Sequence, residues 1–369
     1  MAWATSRALV LVLGIAASLA FGVPERGVDP AVPDALAMLG GWDTTWYLDL
    51  ARHGYAHDVG QVGEVFTNLA FFPLLPGVMA AALAIGLNPF IAALVISNLA
   101  FLAALQCFHL LTLARFGEEA AGRATWALAL FPSAAYASLA YTEGIVLACA
   151  AGAALLGTRG RHGPAGLVAA VATLTRPTGI LVALLAGLLA LRGPAAGRVR
   201  RVALAIVPSI VALTAFLAWM AVARGSALLP FEAQRAWDRG QVGIGIVTAA
   251  PSEISAGWEH IVSGTGGAAW HATIRDLAFL AIYLWLLARL WRSEGGLRSP
   301  WVAYSAAAIA LPLSSGTVTS MARFGLLAFP LMWPLADWVG AERGRAVRWA
   351  GVAVLVIALL VAQLTMRSP

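Results

Sequence analysis

GGWDTTWYLDLARHGY, residues 40–55, lies between two long apolar segments and so at a membrane surface. Its repeat is helical. With Trp42 at zero on a wheel of about 100° per residue, Trp46, Leu39, Leu50 and Tyr47 share one side, and Asp43 falls inside that arc. A carboxylate on the apolar face of an interfacial helix is costly unless something pairs with it or uses it. The other reading of Asp43 is a helix N-cap, with Gly40-Gly41 ahead of the start.

The surrounding chain decides the class. It is 60% hydrophobic and only 11% charged, against about 25% charged in a soluble domain. That composition specifies an all-α polytopic membrane protein. Tyr136, Tyr141, Trp219, Trp237, Trp258 and Trp270 sit near the ends of apolar segments, as in an aromatic belt. There is no lysine, so all 24 basic residues are arginine. They are scattered over short loops, which excludes a nucleic-acid surface despite the net charge of +6. Cys107 and Cys149 fall inside apolar segments and read as small core residues, without disulfide or metal-ligand spacing. Residues 8–23 fit either a first span or a cleaved signal peptide.

Twelve apolar segments run from 8–23 to 349–366, the second of them 66–86. If 66–86 does not cross, the loops holding Arg115 and Arg123, Arg159 and Arg161, Arg192 to Arg201, Arg292 and Arg298, and Arg343 to Arg348 all face the cytoplasm with Arg7, as the positive-inside rule requires. Pro73 and Pro76 in FFPLLPG also suit a broken or re-entrant segment. The expectation is one integral-membrane domain over 1–369. It has about eleven transmembrane helices, an inner amino terminus and an outer carboxyl terminus. Two outer loops, 24–65 and 224–269, carry interfacial helices. Asp43 and the span ends bearing Glu143, Arg176 and Arg323 then arrive at one outer face. Ionisable groups so placed are functional candidates.

GGWDTTWYLDLARHGY, AFFPLLPG at 70–77, FPSAAYASLAYTEG at 131–144, LTRPTG at 174–179 and SMARFGLLAFPL at 320–331 together resemble the PIG-V-type mannosyltransferases of GPI-anchor synthesis and their bacterial relatives. The order of the motifs matches over most of the chain. Arg176-Pro177-Thr178-Gly179 stands where eukaryotic members have Arg-Ser-Asn-Gly. The resemblance implies a GT-C fold, a catalytic Asp in the first outer loop and a polyprenyl-phosphate sugar as donor, with mannose the most direct choice. Nothing in the chain marks a GPI acceptor, so the acceptor is left as lipid- or glycan-linked.

A lipid-phosphate sugar already carries a good leaving group. It requires charge balance and deprotonation of the acceptor hydroxyl. Asp43 is the candidate general base, in a single inverting displacement. Arg176 and Arg323 are the candidate phosphate ligands, through the planar guanidinium fork. Glu143, beside Tyr141, is placed to bind sugar hydroxyls or to orient an arginine. Trp42, Tyr47 and Trp237 offer rings to a sugar, and Gln234 in FEAQRAWDR (231–239) offers an amide; the same stretch also fits an interfacial amphipathic helix anchored by Trp237 and Phe231. Asp49 reads as a helix partner of Arg52 or His53. Asp43 and Asp49, six apart, diverge on a helix and make a poor divalent site, so no metal is expected. No Gly-rich phosphate loop points to a soluble nucleotide sugar, and no cofactor is implied beyond the lipid-linked donor. The main alternative is a multi-span transporter or lipid flippase, which usually shows pseudo-symmetric halves that this chain lacks. A non-catalytic membrane subunit would not need four charges on one face, and no protease motif is present.

Overall fold

A computed structural model describes residues 1–21, 32, 34–239, 243, 245–263, 268–340, 348 and 351. Among them there is no strand; a lone bridge joins Val62 and Val65. The helices are α1 (Ala2–Phe21), α2 (Asp34–Ala37), α3 (Asp43–His53), α4 (Leu74–Ala84), α5 (Pro89–Phe116), α6 (Glu118–Leu130), α7 (Glu143–Thr158), α8 (His162–Thr173), α9 (Ile180–Leu191), α10 (Arg198–Arg224), α11 (Leu229–Glu232), α12 (Gly245–Ser263), α13 (Ala268–Glu294), α14 (Pro300–Leu313), α15 (Met321–Phe324) and α16 (Met332–Gly340).

Two of these, α5 and α10, are each long and apolar enough to cross a membrane alone. Local sequence sets the limits of α5. Asn88 accepts hydrogen bonds from the Phe90 and Ile91 amides, Pro89 fits the first turn, and Gly117 at φ +86° ends the helix. A third candidate is broken: the 3-10 turn Pro132–Ser138 and α7 meet at 107°. Segment 270–291 lies in the 27-residue α13, but several other apolar segments form shorter helices, so the eleven expected crossings are not eleven straight rods. The final apolar segment, 349–366, lies outside the described residues except for Gly351. So do the basic loop before it, except for Arg348, and the first part of the 24–65 loop.

Segment 66–86 is a 3-10 turn followed by α4, which has 11 residues. At 1.5 Å per residue such a helix spans about 16 Å, short of a hydrocarbon core of about 30 Å. Its prolines act differently from the expected break. Pro73 precedes α4 and Pro76 sits in its first turn, where no helical hydrogen bond is lost. The 224–269 loop contains a 19-residue helix, α12, with Val247, Ile254 and Trp258 exposed along it.

Close packing comes from small residues. A Cβ added at Gly144 on α7 would lie 2.5 Å from the Ser97 carbonyl oxygen of α5; one at Gly166 on α8 would lie 2.0 Å from that of Leu204 on α10. Glycine at such contacts lets backbones approach, as is usual between helices in a bilayer.

The loops that carry Arg115, Arg192 and Arg298 meet at one end of the bundle. Arg115 pairs with Glu294 at 2.5 Å, the Ser299 hydroxyl donates to the same carboxylate, and Arg192 donates to the Arg298 carbonyl at 2.6 Å. Arg7 departs from this grouping. It is buried, donates to the Ala134 carbonyl and the Ser138 hydroxyl, and stacks on Phe101. It therefore anchors the broken segment ahead of Glu143 instead of joining the other arginines.

Candidate functional site

The site is assembled from separate motifs that bond directly to one another. The Ala140 amide donates to the Leu39 carbonyl at 3.2 Å, and the Thr44 hydroxyl donates to the Ala140 carbonyl at 3.3 Å. These two bonds fasten the start of α3 to the segment ahead of Glu143. The Leu74 amide donates to the Leu174 carbonyl at 3.0 Å, joining AFFPLLPG to LTRPTG. The Tyr55 hydroxyl and the Gln234 amide donate to the carbonyls of Phe71 and Ala70, each at 2.9 Å.

Asp43 is the first residue of α3 and does not serve as its cap. The cap position is held by Trp42, whose side chain makes no capping hydrogen bond. The carboxylate is free for another role: Oδ2 accepts from Arg323 Nη1 at 2.5 Å, and the side chain keeps 19% of its surface exposed.

Glu143 opens α7 and is 1% exposed. Its Oε1 accepts from Arg176 Nη1 at 2.6 Å and lies 3.2 Å from Arg323 Nε, while Oε2 is buried without a hydrogen-bond partner. Arg176 is extended because Pro177 follows it, which places it at the break between α8 and α9. Arg323 is presented by the short α15. Asp276 on α13 fixes that turn: its carboxylate accepts from the Ser320 and Ala322 amides, each at 2.9 Å, and from Arg275 at 3.0 Å. Thus Asp43, Glu143, Arg176 and Arg323, from four distant motifs, form one continuous ion-pair network.

Two members of the site were not singled out from sequence. Phe324 is the ring on which the cations converge: the guanidinium carbons of Arg176, Arg239 and Arg323 lie 4.6, 4.6 and 5.0 Å from its centroid. Arg239 is half-buried and donates to the Thr319 carbonyl. Burial, reinforced by the positive charges of Arg323 and Arg176, pushes its guanidinium down to about 10. In sequence Arg239 is one of many loop arginines, and Phe324 one of many apolar residues.

The described chain has three non-glycine residues at positive φ: Trp42 (45°), Asp238 (57°) and Ser320 (64°). Trp42 and Asp238 immediately precede Asp43 and Arg239, and Ser320 lies three residues before Arg323. Such conformations cost roughly 1–3 kcal/mol each and concentrate at functional sites.

An aromatic wall adjoins the charges. Trp46 stacks on Phe71 at 6.1 Å, Tyr47 meets Phe71 edge-on at 5.3 Å, and Trp237 contacts Trp46, Phe66 and Phe71. Trp42 is half-buried against the core. Tyr141 is buried, with Arg323 5.2 Å from its ring centroid. The Tyr47 phenol is pushed above its ordinary value by burial, with Asp43 and Glu143 adding to the effect. Gln234 spends an amide hydrogen on Ala70, docking the second loop onto the first. Asp49 is not part of the cluster: it pairs with His53 at 2.8 Å and accepts from Asn68 at 2.7 Å. Asn68 also donates to the Gly54 carbonyl and accepts from the Ala56 amide, which fixes the end of α3.

Three guanidiniums and two carboxylates leave one positive charge in excess, a balance suited to an anion. The separate cleft bounded by Phe116, Arg289, Arg292, Glu294, Trp333 and Asp337 lies at the opposite, basic end and shares no residue with this cluster. The chain matches no family model, no curated protein and no solved structure.

Proposed function

We propose that this chain is a membrane glycosyltransferase of the GT-C type. It moves a hexose, mannose by the resemblance, from a polyprenyl-phosphate sugar to a lipid- or glycan-linked acceptor at the extracytoplasmic face. The convergence of Asp43, Glu143, Arg176 and Arg323 carries the reading. These residues come from the motifs that resemble the mannosyltransferases, and they meet beside a wall of aromatic rings. The meeting of the Arg115, Arg192 and Arg298 loops away from this site supports an outward-facing site in a multi-pass protein of the cell membrane, with about eleven crossings.

In this mechanism the acceptor hydroxyl gives its proton to Asp43 while its oxygen attacks the anomeric carbon. The bond from that carbon to the phosphate oxygen breaks, and the polyprenyl phosphate departs with the electron pair. One displacement inverts the configuration. A guanidinium has five N–H donors. Arg176 directs one nitrogen to Glu143, and Arg323 directs Nη1 to Asp43 with Nε 3.2 Å from Glu143 but not hydrogen-bonded to it, so both retain donors for phosphate oxygens. Glu143 holds the two arginines in register and keeps Oε2 for a sugar hydroxyl. Tyr47 and Trp237 line the sugar's approach.

The test is to incubate the purified protein with radiolabelled polyprenyl-phosphate-mannose and a membrane lipid extract. A labelled glycolipid is expected, and Asp43→Asn should slow its formation by about 10²- to 10⁴-fold in folded protein. Failure to transfer mannose, glucose or arabinose from any polyprenyl-phosphate donor refutes the proposal. Near-normal turnover by Asp43→Asn removes Asp43 from the chemistry.

A further inference from the structure

We infer that Arg239, in the second outer loop, is the residue that fits this site to a singly charged lipid phosphodiester. The inference rests on reading the cluster as an anion site and identifies which cation provides the charge for the ligand.

Arg323 meets Asp43 and Glu143, and Arg176 meets Glu143, so each already has a carboxylate. Arg239 has none among the described residues; it donates to the neutral Thr319 carbonyl. Yet its guanidinium is held against the same ring, Phe324, as the other two, at 4.6 Å from the centroid for Arg239 and Arg176 alike. No two of the three guanidinium carbons can therefore stand farther apart than twice the longest centroid distance. A third cation is thus kept close to two others, where like charges repel.

The backbone also bears a cost for this placement. Asp238, immediately before Arg239, adopts φ +57°, a left-handed conformation that a non-glycine residue seldom takes. The local chain is anchored by Gln234 on Ala70 and by Trp237 against Phe71, so Arg239 is directed inward by a docked loop. The repulsion in the free protein is relieved when an anion arrives among the three guanidiniums, which offsets the backbone cost of holding Arg239 there. Glu143 Oε2, buried and without a partner, provides an independent sign that a hydrogen-bond donor belongs in the site.

The charge count sets the class of ligand. With two carboxylates against three arginines, a single negative charge leaves the filled site neutral. A phosphodiester carries one such charge; a phosphomonoester carries nearly two near neutral pH. Burying an uncompensated charge is costly, so the site favours the diester.

The experiment measures binding of dihexadecyl phosphate, a lipid phosphodiester, and hexadecyl phosphate, a monoester, to the purified full chain in detergent at pH 7.5. The wild type should bind the diester at least as tightly as the monoester. Arg239→Gln should weaken diester binding by about 10- to 100-fold, the loss expected for a hydrogen bond to a charged group. Arg239→Lys should recover part of it; Arg239→Gln should melt no lower than the wild type, because it removes the repulsion, and Arg239→Lys should melt like the wild type. Unchanged diester binding by Arg239→Gln overturns the role of Arg239. If Arg176→Gln still loses affinity in that case, the anion-site reading stands without it. A wild type that prefers the monoester tenfold overturns the charge matching, and a wild type that binds neither lipid overturns both readings together.

Discussion

Replacing Glu143 by glutamine tests the ion-pair network at its centre. The change keeps the side-chain volume and removes one negative charge from a residue that is 1% exposed. Two guanidiniums lose that partner, Arg176 at 2.6 Å and Arg323 at 3.2 Å. At an effective dielectric constant of about 20, Coulomb's law gives roughly 6 kcal/mol for the shorter contact and roughly 5 for the longer. Much of this gross attraction is offset by the desolvation of three charges. Removing one member of a buried pair costs about 3–5 kcal/mol, because the surviving charge stays buried. Arg323 retains Asp43, so most of the loss falls on Arg176. The expected result is a destabilisation of about 3–5 kcal/mol for Glu143→Gln. The assay is reversible unfolding in mixed micelles, followed by tryptophan fluorescence. A double variant, Glu143→Gln with Arg176→Met, should regain more than half of the loss, since it removes the stranded cation. If Glu143→Gln alone unfolds like the wild type, the network does not carry this electrostatic load. If the double variant is worse by the sum of its parts, the two residues are not coupled.

Orientation can be tested with single cysteines. Asp58→Cys and Ser255→Cys at the site end should react with an impermeant thiol reagent in intact cells, whereas Ala195→Cys and Leu297→Cys at the basic end should react only after lysis; the reverse pattern would invert the proposed orientation. The pH dependence follows from Arg239, whose guanidinium sits near 10 in the folded chain, below its ordinary value. Diester binding that uses this cation should stay level from pH 7 to about 9 and fall as the pH rises through about 10. Over the same rise the free protein should gain stability, because the unfolded chain holds that proton more tightly than the folded one. Binding that is flat to about pH 11 would place the contribution elsewhere.

Much of the site was legible because its charges stand out against apolar surroundings. Asp43, Glu143, Arg176 and Arg323 each interrupt or border a hydrophobic run, and a buried charge requires a partner. The interruption of segment 66–86 was also legible, although its prolines begin α4 instead of breaking a span. Arg239 was hidden for the opposite reason: it lies in a polar loop, where an arginine is ordinary. Phe324 was hidden because an aromatic ring in an apolar run has no signature until cations surround it. Asp276 acts through backbone amides of Ser320 and Ala322, and periodicity carries no signal for such a contact. The burial of Arg7 shows where charge counting fails. Its position near the amino terminus groups this arginine with the basic loops, but it satisfies carbonyl and hydroxyl groups in the broken segment.

The spacing of the ion pairs also imposes an order on biogenesis. Glu143 and Arg176 are 33 residues apart, so both are in place once the first half of the chain has been made. Asp43 must wait for a partner 280 residues away. A nascent chain that stops before residue 323 therefore leaves the first-loop carboxylate without its counter-ion. Arrival of the SMARF segment closes the earliest and latest parts of the polypeptide on each other, so a truncated product differs from a finished one by an uncompensated charge at its membrane surface.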